Sequence, residues 1–286
     1  MSDKNTYKKI ADYYIKLYKN AEEQLKSNEN NEKFDDKQIK HYVLQEKALQ
    51  KLFKKVYPEN NNLDAVLIKV AALNQFYSTR IMSVYAVANR IVDLVQGKDA
   101  NEKIDSNTAQ WDTSVVEKIK SVEINGKGMN FYSFATKYCC QYNYDVFPIY
   151  DGMVERTLQE LNKNNIVKDF SKSDLKSYSN FKKIIDNLRE DLDFNKNLYS
   201  YKDFDKFLWL YGRDLKVKDK IISELTKINK SINVNKEVSV EDLHAIGNAF
   251  RARDSERLFY ELKNITSDCL TIEVVEKIFL RKKLKQ

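Results

Sequence analysis

The chain is poor in the two residues that turn a polypeptide, and this limits the folds open to it. It has 6 glycines and 2 prolines among 286 residues, whereas average usage is about 7% and 5%. Barrels, sandwiches and glycine-rich nucleotide-binding folds need many tight turns, and those turns depend on glycine and proline. Hydrophobic residues still make up 42% of the chain, which is enough for a packed core. The sequence therefore predicts an all-α fold.

Apolar residues recur with the helical period and divide the chain into three parts. An amphipathic N-terminal segment covers 1–62, a more apolar core covers 63–212, and a charged extension covers 213–286. We expect all three parts to be helical. The pattern predicts helices at 7–27, 36–56, 64–76, 79–96, 114–121, 131–143, 151–162 and 173–193, and a short helix that ends near Gly212.

Cysteine usage and charge indicate the environment of the protein. Cys139, Cys140 and Cys269 cannot form a disulfide framework, so we expect reduced thiols in the cytoplasm. No run reaches the roughly 18 apolar residues of a membrane span, and the N-terminus lacks the apolar stretch of a signal peptide. The cysteines and two histidines have no ligand spacing, so the sequence predicts no metal and no cofactor. A net charge of +7 is a modest indication of a polyanionic partner.

The segment 131–158 is the most informative about function. A predicted helix is followed there by Pro148, by Asp151 at the start of the next helix, and by Val154 and Arg156 in its first turns. In this order the residues resemble the helix-hairpin-helix DNA glycosylase superfamily, in particular its 8-oxoguanine-DNA-glycosylase-like bacterial branch.

Two other segments extend this resemblance over 63–212. Leu73-Asn74-Gln75 resembles the end of the family's first core helix, which faces the damaged base. Residues 201–212 resemble its closing helix. The likeness implies a helix-hairpin-helix core with flanking helical segments, and it implies double-stranded DNA with a flipped base as the partner of a monomer.

The resemblance also implies a reaction and its residues. Cleavage of an N-glycosidic bond builds positive charge on the sugar, so a fixed carboxylate stabilises the oxocarbenium ion and positions water. Asp151 would be that carboxylate, with Gln75 and Asn74 in the base pocket. DNA phosphate would bind at Gly126, Lys127 and Gly128, the candidate hairpin, because backbone N–H groups that open onto a helix suit an anion. Lys137 is a further candidate phosphate contact.

The likeness breaks at one position that matters for the mechanism. Bifunctional members of the family carry a Schiff-base lysine upstream of the aspartate. At the family's spacing this chain has Tyr132 or Ser133, and the match from the hairpin gives Asn130. Water, and not an amine, is therefore the expected nucleophile, which predicts a monofunctional glycosylase.

Two alternatives remain open at this point. Asp151 is also a favourable N-cap residue, because its side chain can accept N–H groups of the helix that it begins. The protein would then be a non-catalytic helical DNA-binding or interaction protein, with a salt bridge from Asp151 to Arg156 and no cleft. A cleft beside Asp151, lined by Gln75 and aromatic residues, would instead favour an enzyme, which could also act in defence against phage DNA with modified bases.

Overall fold

The computed structural model describes residues 4–27, 37–167, 170–194 and 198–231. These residues are mostly helical, which confirms the predicted fold class at that level. The helices are α1 (Lys4–Ser27), α2 (Lys37–Lys51), α3 (Leu63–Tyr77), α4 (Val84–Gln96), α5 (Ser114–Lys120), α6 (Tyr132–Tyr142), α7 (Gly152–Lys163), α8 (Tyr178–Asp191) and α9 (Tyr201–Ser231). A π-helical turn, Leu52–Val56, continues α2, and the strands β1 (Ser121–Ile124) and β2 (Lys127–Asn130) lie between α5 and α6.

One hydrophobic core joins the N-terminal helices to the centre of the chain. α1 packs against α9 and α2, α3 packs against α4, and α5 packs against α6. Tyr14 of α1, Phe134 of α6 and Phe207 of α9 are nearly or fully buried in this core. The predicted N-terminal segment therefore shares its core with the predicted central domain.

The connection between α5 and α6 differs from the one predicted. We expected a glycine turn over Ile124–Gly128 that opens onto a helix, and this expectation is wrong because the two strands form an antiparallel hairpin. Asn125 and Gly126 adopt φ values of 53° and 73°. Two consecutive positive φ values are typical of the type I′ turn, whose twist matches that of paired strands.

The closing helix also differs from the prediction. α9 does not end near Gly212 but continues to Ser231. Gly212 lies where α9 crosses α7, and a Cβ atom there would collide with the carbonyl oxygen of Met153. At the same crossing the Thr157 hydroxyl donates to the Leu208 carbonyl oxygen at 2.6 Å. This glycine therefore permits close helix packing and does not end the helix.

Two further expectations fall partly outside the described residues. Cys139 and Cys140 are buried and form no disulfide, whereas Cys269 and the extension beyond 231 are not described. Within the part of the chain that is described, no helix is both long enough and apolar enough to cross a membrane.

Candidate functional site

Asp151 begins α7 and is held in place from two sides. Its Oδ1 accepts the backbone N–H groups of Met153 at 2.8 Å and Val154 at 3.0 Å, so it is the N-cap of this helix. Its Oδ2 lies 3.4 Å from the Nζ atom of Lys137. A negative charge is favoured at this position because the helix dipole is positive at its N-terminus. The carboxylate is therefore fixed in one orientation.

Lys137 contacts Asp151 from the interior of the protein. It lies on α6, its side chain is 4% exposed, and its Nζ donates to the Ser133 hydroxyl at 2.8 Å. The ammonium also stands 5.6 Å from the centre of the Tyr77 ring. This placement pairs Lys137 with the carboxylate instead of exposing it to a DNA phosphate.

A cavity of about 190 Å³ lies beside Asp151. We call it the Asp151 cavity. Its walls come from α1, α2, the end of α3, the loop before α7, and α9. The residues that line it are Tyr18, Tyr42, Gln45, Glu46, Leu49, Phe76, Tyr77, Ser78, Ile149, Asp151, Lys202, Asp205, Lys206, Trp209 and Leu210.

Aromatic side chains form much of the wall. Tyr42 and Trp209 meet edge to face, with ring centres 4.6 Å apart and an angle of 77° between the planes. Phe76 and Tyr77, at the end of α3, add two more rings to the lining. Such walls suit a flat ligand, because aromatic faces provide apolar contact area and stacking partners.

The charged part of the cavity contains a carboxylate with a free acceptor. Asp205 is 8% exposed, and its Oδ2 lies 3.4 Å from the Nζ of Lys202. Its Oδ1 has no hydrogen-bond partner. Burial raises the pKa of Asp205 to about 6, with the charge of Asp151 adding to this and that of Lys202 opposing it. Perturbed carboxylates in clefts are candidates for functional sites.

The neighbouring charges are already paired. Lys202 Nζ donates to the Tyr77 hydroxyl at 3.1 Å, and the Tyr18 hydroxyl donates to Glu46 Oε2 at 2.6 Å. Lys206 stands 4.4 Å over the centre of the Tyr18 ring. Beside these paired groups, the Oδ1 atom of Asp205 is a buried acceptor without a hydrogen-bond partner.

The structure does not bring Gln75 or Asn74 into the Asp151 cavity. Gln75 is exposed on α3. The Asn74 side chain instead fastens the turn after α3: its Oδ1 accepts from Thr79 Oγ1 at 2.8 Å and Ile81 N at 2.9 Å, and its Nδ2 donates to Ile81 O at 3.1 Å. A helix turns about 100° per residue, so the face that reaches the cavity carries the next residues, Phe76 and Tyr77.

The predicted phosphate contacts on the hairpin also lie away from the Asp151 cavity. Gly126, Lys127 and Gly128 are all exposed, and none of them lines it. Gly128 instead borders an open groove of about 840 Å³ between the hairpin and α4. Phosphate binding at the hairpin stays a prediction, without the helix N-terminus that we expected behind it.

The sequence analysis assigned no role to the cavity residues of α2 or to the charged cavity residues of α9, although α9 carries a signal. Lys202, Asp205, Lys206 and Trp209 recur at intervals of three and four residues within an otherwise apolar helix, so they share one face. Charges on the buried face of a helix need partners. Burial of a charge without a partner costs free energy, so this row of buried charges indicates a polar site inside the protein.

The geometry of Asp151 combines features of both alternatives that the sequence left open. The carboxylate borders a cavity lined by aromatic residues, and Arg156 pairs with Asp219 and not with Asp151. Asp151 is at the same time the N-cap of α7. The capping role and the cavity therefore coexist at one residue.

Comparison with known proteins gives a family but no activity. The family model HI_0787_N, described as an N-terminal domain, matches residues 12–146. A Haemophilus influenzae protein described as uncharacterized is 35% identical over 158 residues, which cover 55% of this chain and 71% of the relative. No solved structure matches the chain.

Proposed function

The chain belongs to the family of this Haemophilus influenzae protein, and for it we propose the function of a DNA N-glycosylase. The enzyme hydrolyses the N-glycosidic bond of a damaged or modified base that is flipped out of double-stranded DNA. One observation carries the proposal: a carboxylate fixed at a helix N-terminus borders a small cavity with aromatic walls and an unused acceptor inside.

The position of Asp151 suits the charge that develops in this reaction. As the bond to the base breaks, positive charge builds on the sugar, and a preoriented carboxylate stabilises it without reorganisation. The Asp151 carboxylate also accepts hydrogen bonds, so it orients or deprotonates the attacking water. Lys137 holds Oδ2 from the buried side and does not line the cavity, which leaves the open side of the carboxylate for sugar and water.

The Asp151 cavity suits a single flat base. A flipped base is read by stacking between aromatic side chains and by hydrogen bonds to its edge. Tyr42, Phe76 and Trp209 supply the aromatic surface, and Asp205 Oδ1 accepts an N–H from the base edge. The preferred base thus presents a donor to Asp205, since a carboxylate gives no donor in return.

The finer structural expectations form part of the same proposal. The order of α5, hairpin, α6, a loop with Pro148, and α7 headed by Asp151 is the order that the resemblance leads us to expect, except that a β-hairpin stands in place of the glycine turn. We propose that the protein acts as a monomer in the cytoplasm.

A second candidate function has an observation in its favour. Both oxygens of Asp151 have protein partners, namely the N–H groups of Met153 and Val154 and the ammonium of Lys137. A non-catalytic DNA-binding protein that kept the core would need no more from this residue.

Mass spectrometry of released bases separates the two functions. The wild-type protein is incubated with genomic DNA and with phage DNAs that carry modified bases, and free bases are quantified. Asp151→Asn keeps an N-cap residue but removes the charge, so we expect base release to fall about 100- to 10,000-fold in a protein that stays folded. Release by Asp151→Asn at the wild-type rate would remove Asp151 from the catalytic role, whereas no base from any DNA with the wild-type protein would favour the non-catalytic candidate.

The nucleophile is tested on the product. Hydrolysis by water leaves an intact abasic site, so we expect no strand cleavage without alkali or heat and no covalent complex on borohydride reduction. A trapped complex that disappears in Lys137→Gln would instead make the amine beside Asp151 the nucleophile, and the protein would be bifunctional.

A further inference from the structure

Helix α2 has two faces of different character. One face forms a wall of the Asp151 cavity through Tyr42, Gln45, Glu46 and Leu49. The opposite face is directed to solvent, where His41, Leu44 and Lys51 are exposed. The outer face and the cavity wall are therefore separated by the diameter of one helix with its side chains, about 10–12 Å.

The charge on α2 and its π-helical turn is strongly one-sided. Between residues 37 and 56 the sequence has 6 lysines and a single carboxylate, Glu46, and Glu46 is buried in the cavity wall. The outer face therefore has no acidic residue of its own. We call Lys47, Lys51 and Lys55, which follow one another at intervals of four residues, the α2 lysine stripe.

The stripe lacks the ion pairs that other surface lysines have. Within the described ranges, no carboxylate pairs with Lys47, Lys51 or Lys55, whereas Lys4 pairs with Asp191 at 2.6 Å and Lys176 with Glu155 at 2.7 Å. Like charges four residues apart on a helix destabilise it. The chain thus retains a repulsion that one glutamate would relieve, and an external polyanion relieves it as well.

We propose that the α2 lysine stripe binds the phosphates of duplex DNA beside the flipped nucleotide. This inference rests on the proposed glycosylase function, because it takes the occupant of the Asp151 cavity to be part of DNA. Lysines that contact phosphates position a duplex without reading its sequence. The π-helical turn that continues the stripe adds Lys54, which stands 4.5 Å over the centre of the Tyr144 ring.

The stripe takes the role that the resemblance assigns to the hairpin. Lys127 is the single cation at the hairpin turn, and the hairpin does not border the Asp151 cavity. The lysine stripe lies instead on a helix that forms the cavity wall. Phosphate contacts there hold the DNA while unstacking of the base, which costs a few kcal/mol, takes place.

The test is the salt dependence of binding to a fluorescein-labelled duplex of mixed sequence. The full-length variant Lys47→Gln/Lys51→Gln/Lys55→Gln is compared with the wild type. Each phosphate contact contributes about 0.9 to the slope of log K against log salt. We expect the slope to fall by about 2.7, so a fourfold rise in salt weakens wild-type binding roughly 40-fold more than variant binding.

A matched control and a stability measurement exclude general effects. Lys9→Gln/Lys163→Gln/Lys183→Gln removes three exposed lysines from α1, α7 and α8, and we expect the wild-type slope. Lys163 lies at the far end of α7 from Asp151, about 18 Å along the helix. The thermal midpoint of the stripe variant should stay or rise because repulsion is removed. An equal loss of slope in the control, or an unchanged slope in the stripe variant, would overturn the proposal.

The outcomes also separate the stripe from the glycosylase. Asp151→Asn should lose base release and keep the wild-type slope, while the stripe variant should release base when saturating DNA is supplied at low salt. If neither the wild type nor any variant releases a base but the stripe variant loses slope, DNA binding by the stripe is supported and the glycosylase function is rejected. If Asp151→Asn is inactive and the stripe variant binds as the wild type does, the stripe fails. Binding of the stripe to phosphatidylserine vesicles but not to duplex DNA would overturn it too.

Discussion

Two clusters of buried polar side chains differ in whether their acceptors are used by the protein. The first surrounds Lys69 of α3, which is fully buried. Its Nζ donates to the carbonyl oxygens of Tyr57 and Glu59, to Asn60 Oδ1 at 2.7 Å, and to the Tyr142 hydroxyl at 2.9 Å. The cluster ties the loop before α3 to α6, and Lys69 lines no part of the Asp151 cavity.

The second cluster surrounds Asp205 of α9 and has an acceptor to spare. Lys202 pairs with Asp205 Oδ2, but Oδ1 has no partner and the residue lines the cavity. A buried polar group is costly unless it is bonded. The comparison teaches that burial alone does not mark a site, because a buried charge with a full set of partners is structural. The unpaired acceptor beside a cavity makes Asp205 a candidate for contact with a ligand.

Among the variants that test this contrast, we expect replacement of Lys69 to change the free energy of unfolding most. Lys69→Met leaves the carbonyl oxygens of Tyr57 and Glu59 without their donor, so we expect the free energy of unfolding to fall by about 3 kcal/mol. Urea unfolding measures it, and base release per folded molecule should not change. Lys163→Met on the surface is the control, with an expected change below about 0.5 kcal/mol.

The stability that Lys69→Met loses should depend on pH in a defined direction. Burial lowers the pKa of Lys69 to about 7 from its usual 10.5. Between these values the unfolded chain binds more protons, so wild-type stability rises with pH from about 7 to 10.5, and Lys69→Met should lack this rise. An equally stable variant, or a loss of activity at full stability, would break the assignment of Lys69 to structure.

Asp205→Asn tests the cluster around Asp205. We expect it to change the free energy of unfolding less than Lys69→Met does. Its raised pKa of about 6, against an ordinary 3.8, means that the folded state binds more protons between these values. Wild-type stability therefore falls by about 2–3 kcal/mol as pH rises from 4 to 6. The variant should lack this fall, and base release should drop about tenfold or more because a charged acceptor is lost.

A neighbouring carboxylate is the control for this variant. The half-buried Asp203 accepts from the backbone N–H and the hydroxyl of Ser200. Although burial opposes it, the charge of Lys206 and these hydrogen bonds lower the pKa of Asp203. Asp203→Asn should therefore lower stability at neutral pH and leave base release unchanged. The contrast fails if both variants behave alike.

The smallest expected change in stability concerns an unpaired hydrogen-bond donor in the cluster around Lys69. Asn60 Oδ1 accepts from Lys69, Tyr138 and Tyr142, but its Nδ2 has no partner. Asn60→Asp replaces this unpaired donor by an acceptor and pairs a carboxylate with Lys69, so we expect a gain of about 1 kcal/mol at pH 7. Thermal unfolding measures it; a strong destabilisation would mean that the carboxylate lacks sufficient donors.

Local signals predicted part of the fold and one residue of the candidate site. Asp151 was predictable because capping depends on a side chain and the next three residues. The hairpin was also readable, since Asn125-Gly126 between short apolar-polar alternations is a strong hairpin signal. The resemblance to the glycosylase family led instead to the expectation of a glycine turn at these residues. The sequence predicts a helix end at Gly212 because glycine commonly ends helices, but close packing of α7 against α9 is what requires the missing Cβ.

The sequence by itself determined a helical protein in which an aspartate begins a helix, because composition, periodicity and capping act within a few neighbouring residues. Only the tertiary structure decided that Lys137 pairs with Asp151, that Gln75 lies outside the cavity, and that Asp205 keeps an acceptor free. The physical reason is that burial and unused hydrogen bonds depend on which helices meet. The walls of the Asp151 cavity come from α1, α2, α3 and α9 together. No local sequence pattern specifies how these helices pack against one another.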